Sequence, residues 1–352
     1  PKGRMNPEII KTSKPTPGFG VFMPQPRHQL VNLEATPFYH VHSRCVRQQF
    51  LCGFDRQTGR DFSHRRDWIK RRIRKVASAF AIHVYAYAVM SNHFHLVVAV
   101  DQSALEEWSD LEVARRWRIL FKGPELLQRF TRGKPLSASE VFRVRQMIAR
   151  LRSQLADLSW FMRAINEPIA RMANMEDNVS GHFWEGRFKS QALLTAGALL
   201  SAMAYVDLNP IRAGLCQTPE RSNFTSIQQR IKQLPSRGSE QDCKEPLLPV
   251  FGPPTDSVPR APRFGLSDYL ALVDWSGRAV CGDKPGTIPS GLPSLFDRIN
   301  INPTGFVAFI RHEERGFYNA IGPSTALRNA AQVVGQRFFH GQNAARRLFQ
   351  AS

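Results

Sequence analysis

Cysteine is scarce in this chain: Cys45, Cys52, Cys216, Cys243 and Cys281 stand among 352 residues. They are scattered, odd in number and never in a CxxC pair. That excludes a disulfide scaffold and a structural zinc site, and it fits a reducing cytoplasm. No apolar run reaches the roughly 18 residues of a membrane helix. The start, Pro1 to Pro7, leads into no hydrophobic region of the signal-peptide kind. The expectation is therefore a cytoplasmic protein without a membrane segment. No GxxxxGK[ST] pattern occurs, so P-loop nucleotide hydrolysis is excluded, and no fixed-period repeat suggests a solenoid. Acidic residues are few: 29 Asp+Glu face 48 Lys+Arg, a formal charge of +19 and a pI near 10.4. Such a field selects a polyanion, most commonly nucleic acid. No amphipathic Lys-rich anchor points to an acidic membrane instead.

What is present is a core. Apolar residues make up 42% of the chain, enough for one large domain or a core domain with additions. Tyr85 to Val100 reads as a hydrophobic strand in two halves, with a Ser91-Asn92 turn signal between them. His93 and His95 lie in the second half. Alternation puts residues i and i+2 on one strand face, roughly 7 Å apart. Two neutral imidazoles on one face form half of a divalent-metal site. Burying them unpaired would be costly, so that face is a site or opens onto one.

Around this strand the chain divides as follows. Residues 1–28, rich in Pro, Lys and Gly, read as a flexible basic arm. Phe38 to Arg44 reads as the first strand. Its His40-x-His42 has a polar context and is expected to face DNA rather than the metal. A helix is expected from an N-cap at Ser63 to Phe80, with Trp68, Ile69, Ile73, Val76, Ala77 and Phe80 on its apolar stripe. Its arginines, Arg65, Arg71 and Arg74 among them, repel one another, and a phosphate partner would offset that. Residues 102–157 read as a helical insertion outside the core, and Leu158 to Asn174 as a helix that Pro168 bends or restarts. A strand is expected over Phe183–Ser190, with Glu185, Arg187 and Lys189 on one face. Thr195 caps a helix to about Leu208, where Pro210 stops it; Ser201, Tyr205 and Asn209 form a stripe beside its core face. Residues 217–262 read as a linker and 263–352 as a mostly helical, basic region.

Four segments, in order, resemble one family: Tyr39 to Arg44, Met90 to Val98, Gly181 to Ser190 and Tyr205 to Leu215. They are similar to the HUH (His-hydrophobic-His) single-tyrosine transposases, in particular the REP-associated tyrosine transposases. The chain departs from the family at Ser91, where Pro is usual. The resemblance covers about residues 29–104 and 158–216 and makes 29–216 the expected catalytic domain. It implies an α+β fold, a ferredoxin-like antiparallel sheet with flanking helices. It also implies a Mg²⁺ or Mn²⁺ ion at His93 and His95, and Tyr205 as nucleophile. Two imidazoles hold Mg²⁺ weakly, because that ion prefers oxygen. Asn209, one helical turn from Tyr205, is either the third ligand or a helix cap. Arg44, Arg187, Lys189 and Arg212, in the matched segments, are expected to contact DNA together with Arg65, Arg71 and Arg74.

The expected activity is cleavage and rejoining of single-stranded or hairpin DNA through a 5′-phosphotyrosine, as in DNA transposition. The alternative is a non-catalytic or domesticated regulator that binds hairpin nucleic acid. The oligomeric state, monomer or homodimer, is left open.

Overall fold

The computed structural model describes residues 30–46, 52–55, 59–234, 247–253, 264–281, 292–311 and 316–350. The arm expected over 1–28 lies outside them. Five strands form one sheet: β1 (Phe38–Arg44), β2 (Ile82–Val89), β3 (His93–Val100), β4 (Lys189–Leu193) and β5 (Ala320–Ile321), in the order β2-β3-β1-β4-β5. Helix α1 (Arg65–Ala79) connects β1 to β2. The insertion follows β3 as α2 (Gln102–Glu107), α3 (Asp110–Leu120), α4 (Glu125–Thr131) and α5 (Ala138–Leu155). Then come α6 (Leu158–Asp177), β4 and α7 (Ala196–Arg212). The expected α+β class, with a helix-flanked sheet, is what the chain forms. The first four strands pair antiparallel, and β1-α1-β2-β3-α6-β4 is the ferredoxin-like arrangement. The short β5 adds on parallel to β4.

The β2–β3 hairpin turns at Ser91-Asn92, with the Met90 amide donating to the His93 carbonyl at 2.8 Å. Alternation gives the sheet two faces. Tyr39, Val41 and Ser43 of β1 lie on one, under α1 and α6: Asn166 Nδ2 donates to Ser43 Oγ at 2.8 Å, and the Phe80 and Phe161 rings meet at 5.6 Å. His40 and His42 lie on the other, under α7.

Three local expectations change. The strand expected over Phe183–Ser190 starts only at Lys189, and Trp184 keeps a single bridge to Cys45. The Trp184 ring packs against Phe94 while its Nε1–H donates to the Asn166 carbonyl at 3.0 Å, so its side chain rather than a ladder anchors this stretch. Helix α6 runs unbroken through Pro168. Helix α7 passes Pro210 and ends at Arg212, its last turn held by buried Leu208 and Ile211. The lost Pro210 N–H is one bond, and the extra turn returns Arg212 to the side of Tyr205 and Asn209.

Within 217–262, the described residues form α8 (Ser226–Gln233) and a segment that pairs with β2, Val84 N–H donating to the Phe251 carbonyl at 2.7 Å. Buried Asp207 of α7 ties this part to the C-terminal helices. It accepts hydrogen bonds from Ser226 Oγ, from Ile227 N at 2.9 Å and from Tyr269 Oη at 2.5 Å. Burial pushes its carboxyl up, and those donors oppose the shift. The described residues of 263–352 add further elements to the fold. They contribute α9 (Leu266–Cys281), α10 (Leu292–Arg298), α11 (Pro303–Ile310), β5, α12 (Ser324–Val333) and α13 (Gln342–Leu348), with α9 and α11 packed on α7. A Cβ at Gly197, in the first turn of α7, would collide with the Ile299 carbonyl, so only glycine permits this approach.

Candidate metal centre and nucleophile

The register of β1 against β3 sets His42 opposite His95, and β1 against β4 sets His40 opposite Gln191 and His42 opposite Lys189. All five side chains therefore share the face beneath α7. The His40 and His95 rings stack at 5.1 Å with His40 Nε2 and His95 Nδ1 2.9 Å apart. The His42 ring lies 5.2 Å from that of His95. One nitrogen from each of His40, His42 and His95 falls within 4.8 Å of the others, a set that can hold a metal ion. This corrects the expectation that the first His-x-His faces DNA: His40 is buried, because β1 is an interior strand between β3 and β4.

His95 of the expected pair belongs to this trio. His93 stands beside it, rings 4.8 Å apart and nearly perpendicular, with Nδ1 against Asn92 Oδ1 at 2.6 Å. Burial lowers the pKa of all four histidines, to about 3 for His42 and about 4 for His93. The rings raise one another's charging cost, and Arg44 adds to it at His42 and His93. Neutral imidazoles keep the lone pairs that a metal needs.

A hydrogen-bond chain fixes which nitrogen keeps its lone pair. Gln191 Nε2 donates to the Phe317 carbonyl at 2.9 Å, which turns Gln191 Oε1 toward His40 Nδ1 at 3.0 Å. His40 Nδ1 therefore carries the proton. Its Nε2 therefore keeps the lone pair and stands 2.9 Å from His95 Nδ1, one of the contacts that bring the ligand nitrogens of the trio together. Fixing the far nitrogen of a metal-binding imidazole in this way orients the ring and sets its tautomer.

Tyr205, half-buried on α7, faces this cluster from a separate element. Its ring stands edge-on to His95 at 6.0 Å and to His40 at 6.1 Å. Burial raises its pKa, while Arg212 and Asn209 beside it pull the other way. Arg212 lies over the ring at 5.3 Å, with one guanidinium nitrogen 3.5 Å from the hydroxyl and 3.2 Å from Asn209 Oδ1. Asn209 Oδ1 is thus engaged by Arg212 rather than presented to the histidines. Between Tyr205 and the histidines opens a cavity of about 360 Å³. Lys189 lies at its edge, and Phe309, Phe317 and Tyr318 form a wall from the C-terminal region. Sequence reasoning missed Gln191 and this wall.

The other expected DNA contacts separate. Arg44 and Lys189 border the histidine face and are exposed, Arg44 pairing with Glu185 at 3.7 Å. Arg187 is exposed on the loop before β4. Arg71 and Arg74 are exposed on α1, on the side of the sheet away from the histidines. Arg65 is a correction: 1% exposed, it binds Glu176 at 2.6 Å and Asp177 at 2.7 Å and lies over the Phe62 ring, so it ties α1 to α6. Several insertion arginines are likewise engaged within the fold. Arg116 pairs with Glu112 and stacks on Trp108, and Arg129 pairs with Glu140.

No family model matches the chain, and no curated protein matches it. Among solved structures, the chain is similar to that of a REP-associated tyrosine transposase bound to a REP hairpin. The match has 14% identity and a TM-score of 0.32, and covers 57% of this chain and 84% of the other. A likeness of that size carries no argument about family or chemistry. No helix among the described residues is long and apolar enough to cross a membrane.

Proposed function

We propose that this chain is a metal-dependent single-strand DNA endonuclease and strand transferase, related to the HUH single-tyrosine transposases, that works on hairpin DNA through Tyr205. The observation that carries this reading is the placement of Tyr205: it faces three converging, neutral histidines across a cavity, from a different element. A tyrosine on the histidine strand would stand beside the ion. One on α7 can attack in line across the width of a phosphate. The four sequence segments resembling that family support the reading independently.

The donor set bears on the ion. Three imidazoles without a carboxylate suit Mn²⁺ or a later first-row ion better than Mg²⁺, which prefers oxygen. His40, His42 and His95 would hold the ion, with His93 as a further candidate. When bound, it would supply Lewis-acid polarisation of the phosphate. The chain's own residues do the rest. Arg212 stabilises the phenolate as the Tyr205 proton leaves to solvent. The phenolate oxygen then forms a bond to phosphorus, and the P–O3′ bond breaks. The 3′-oxygen takes up a proton, leaving a 5′-phosphotyrosine and a free 3′-OH. The ester conserves the bond energy, so rejoining needs no nucleotide. Arg44, Lys189 and Arg187 line the approach for phosphates, while Arg71 and Arg74 offer a separate basic surface. Residues 29–216, with their insertion, would be the catalytic unit.

The test is incubation of the protein with a labelled single-stranded hairpin and Mn²⁺, followed by a denaturing gel. A covalent adduct is expected. Tyr205→Phe should bind the hairpin and lose the adduct. An adduct that survives in Tyr205→Phe would refute the assignment, and binding without any adduct would favour a regulator.

A further inference from the structure

Beside the cavity under Tyr205 lies a second one that the proposed reaction does not use. Gly316 and Tyr318 line both. The second, about 440 Å³, is bordered by Phe338, His340, Asn343 and Arg347. Two large aromatic rings are presented to solvent there: Tyr318 is 58% exposed and Phe338 56%. Both stand edge-on to the His340 ring, at 5.7 Å and 5.1 Å. The two rings present their faces at the mouth of a polar cavity, where a flat aromatic ligand can stack on them. The electrostatics name the sign of the occupant. From Gly316 to Ser352 the sequence has Arg328, Arg337, Arg346 and Arg347 and no Asp or Glu, and all four arginines are exposed.

Exposed rings for stacking beside exposed arginines are the two components of a single-strand binding track. The geometry points to a path for unpaired DNA, which we propose runs from the Tyr205 cavity over Tyr318 and Phe338 to Arg347. Bases would stack on the two rings, and phosphates would follow Arg337, Arg346 and Arg347. The inference rests on the proposed strand-cleaving reading for its choice of ligand. It assigns to the C-terminal region the single strand that flanks a hairpin, and leaves the hairpin itself to the surface around Lys189 and Arg44.

The experiment uses the full chain and two fluorescent DNAs: a blunt hairpin, and the same hairpin with an unpaired extension of about eight nucleotides at either end. Anisotropy titrations compare the wild type with Phe338→Leu, Tyr318→Leu, the double variant and Phe338→Tyr. Loss of one stacking platform weakens binding about tenfold. Phe338→Leu, whose ring lines only the second cavity, should therefore lose about tenfold on the extended hairpin and remain within about twofold on the blunt one, and the double variant should lose more on the extended hairpin. Phe338→Tyr, which keeps a ring, should bind like the wild type. Equal losses on both DNAs, or none, would overturn the track. The adduct assay, run on the same samples, separates this result from the fate of the proposed activity. Selective loss of tail binding without any wild-type adduct would uphold the track alone. Adduct formation with undiminished tail binding by the double variant would refute only the track.

Discussion

The histidine cluster makes folding stability depend on pH, and His42 gives the effect a size. Its unfolded value is the ordinary 6.5, and burial in the folded chain lowers it to about 3. Between those values the unfolded chain binds the extra proton and the folded chain does not. Stability is therefore fully present above about pH 6.5 and falls as pH drops toward 3. For one group with these two pKa values the contribution lost between pH 7 and pH 5 is about 2 kcal/mol. His93, lowered to about 4, acts in the same direction. The perturbation is His42→Gln, which keeps a polar side chain and removes the titrating ring. The assay is urea unfolding of EDTA-treated protein at pH 7 and pH 5, wild type and variant in parallel. The wild type should lose about 2 kcal/mol more than the variant on acidification. Adding Mn²⁺ should steepen the wild-type dependence, because the ion binds only neutral imidazoles. Equal losses in the two proteins would mean that His42 charges freely in the folded state, and would refute the packed, neutral cluster.

Gln191→Leu removes the amide that fixes the His40 tautomer; it should weaken Mn²⁺ binding by about 10- to 100-fold in a direct metal titration, with little change in thermal stability. Unchanged affinity would mean that His40 orients itself without help. Among the basic residues of α1, Arg71→Gln with Arg74→Gln should lower the log–log salt slope of single-strand binding by about 1.4 if both touch phosphates. Arg65→Gln should instead lower stability by about 1–2 kcal/mol, measured by chemical unfolding, because it removes the buried guanidinium that ties Glu176 and Asp177 to α1 and packs on Phe62.

Those contrasting outcomes for neighbouring arginines were readable in the chain. Arg65 lies four and eight residues before Ile69 and Ile73, on the same helical stripe as the core residues, so its phase pointed inward. The hairpin carrying His93 and His95 was legible for the same kind of reason: alternation and a turn signal are local. The role of His40 and His42 was not local. Their polar neighbours suggested an outer position. What buries them is the pairing of β1 between β3 and β4, and register across a sheet cannot be read from one strand. Tyr205 was legible because its helix and capping threonine were, but Pro210 misled. Proline costs one backbone bond, and a helix whose last turn is packed on buried Leu208 and Ile211 absorbs that cost.

The C-terminal region was the least legible part, and the reason bears on how the site is built. Its helices are short, and the strand that docks it, Ala320–Ile321, has two residues, below the length at which alternation can signal. Yet that strand places the Phe317 carbonyl against Gln191, and through Gln191 it sets the proton on His40. Phe309, from the same region, packs on Tyr205 at 5.8 Å. The histidine side and the Tyr205 side of the cavity are therefore each braced by the same C-terminal region. A substitution that loosens the Ala192–Ala320 pairing should disturb both sides at once, although neither residue touches the cavity's histidines. For that reason the centre is a product of the whole described fold rather than of its four recognisable segments.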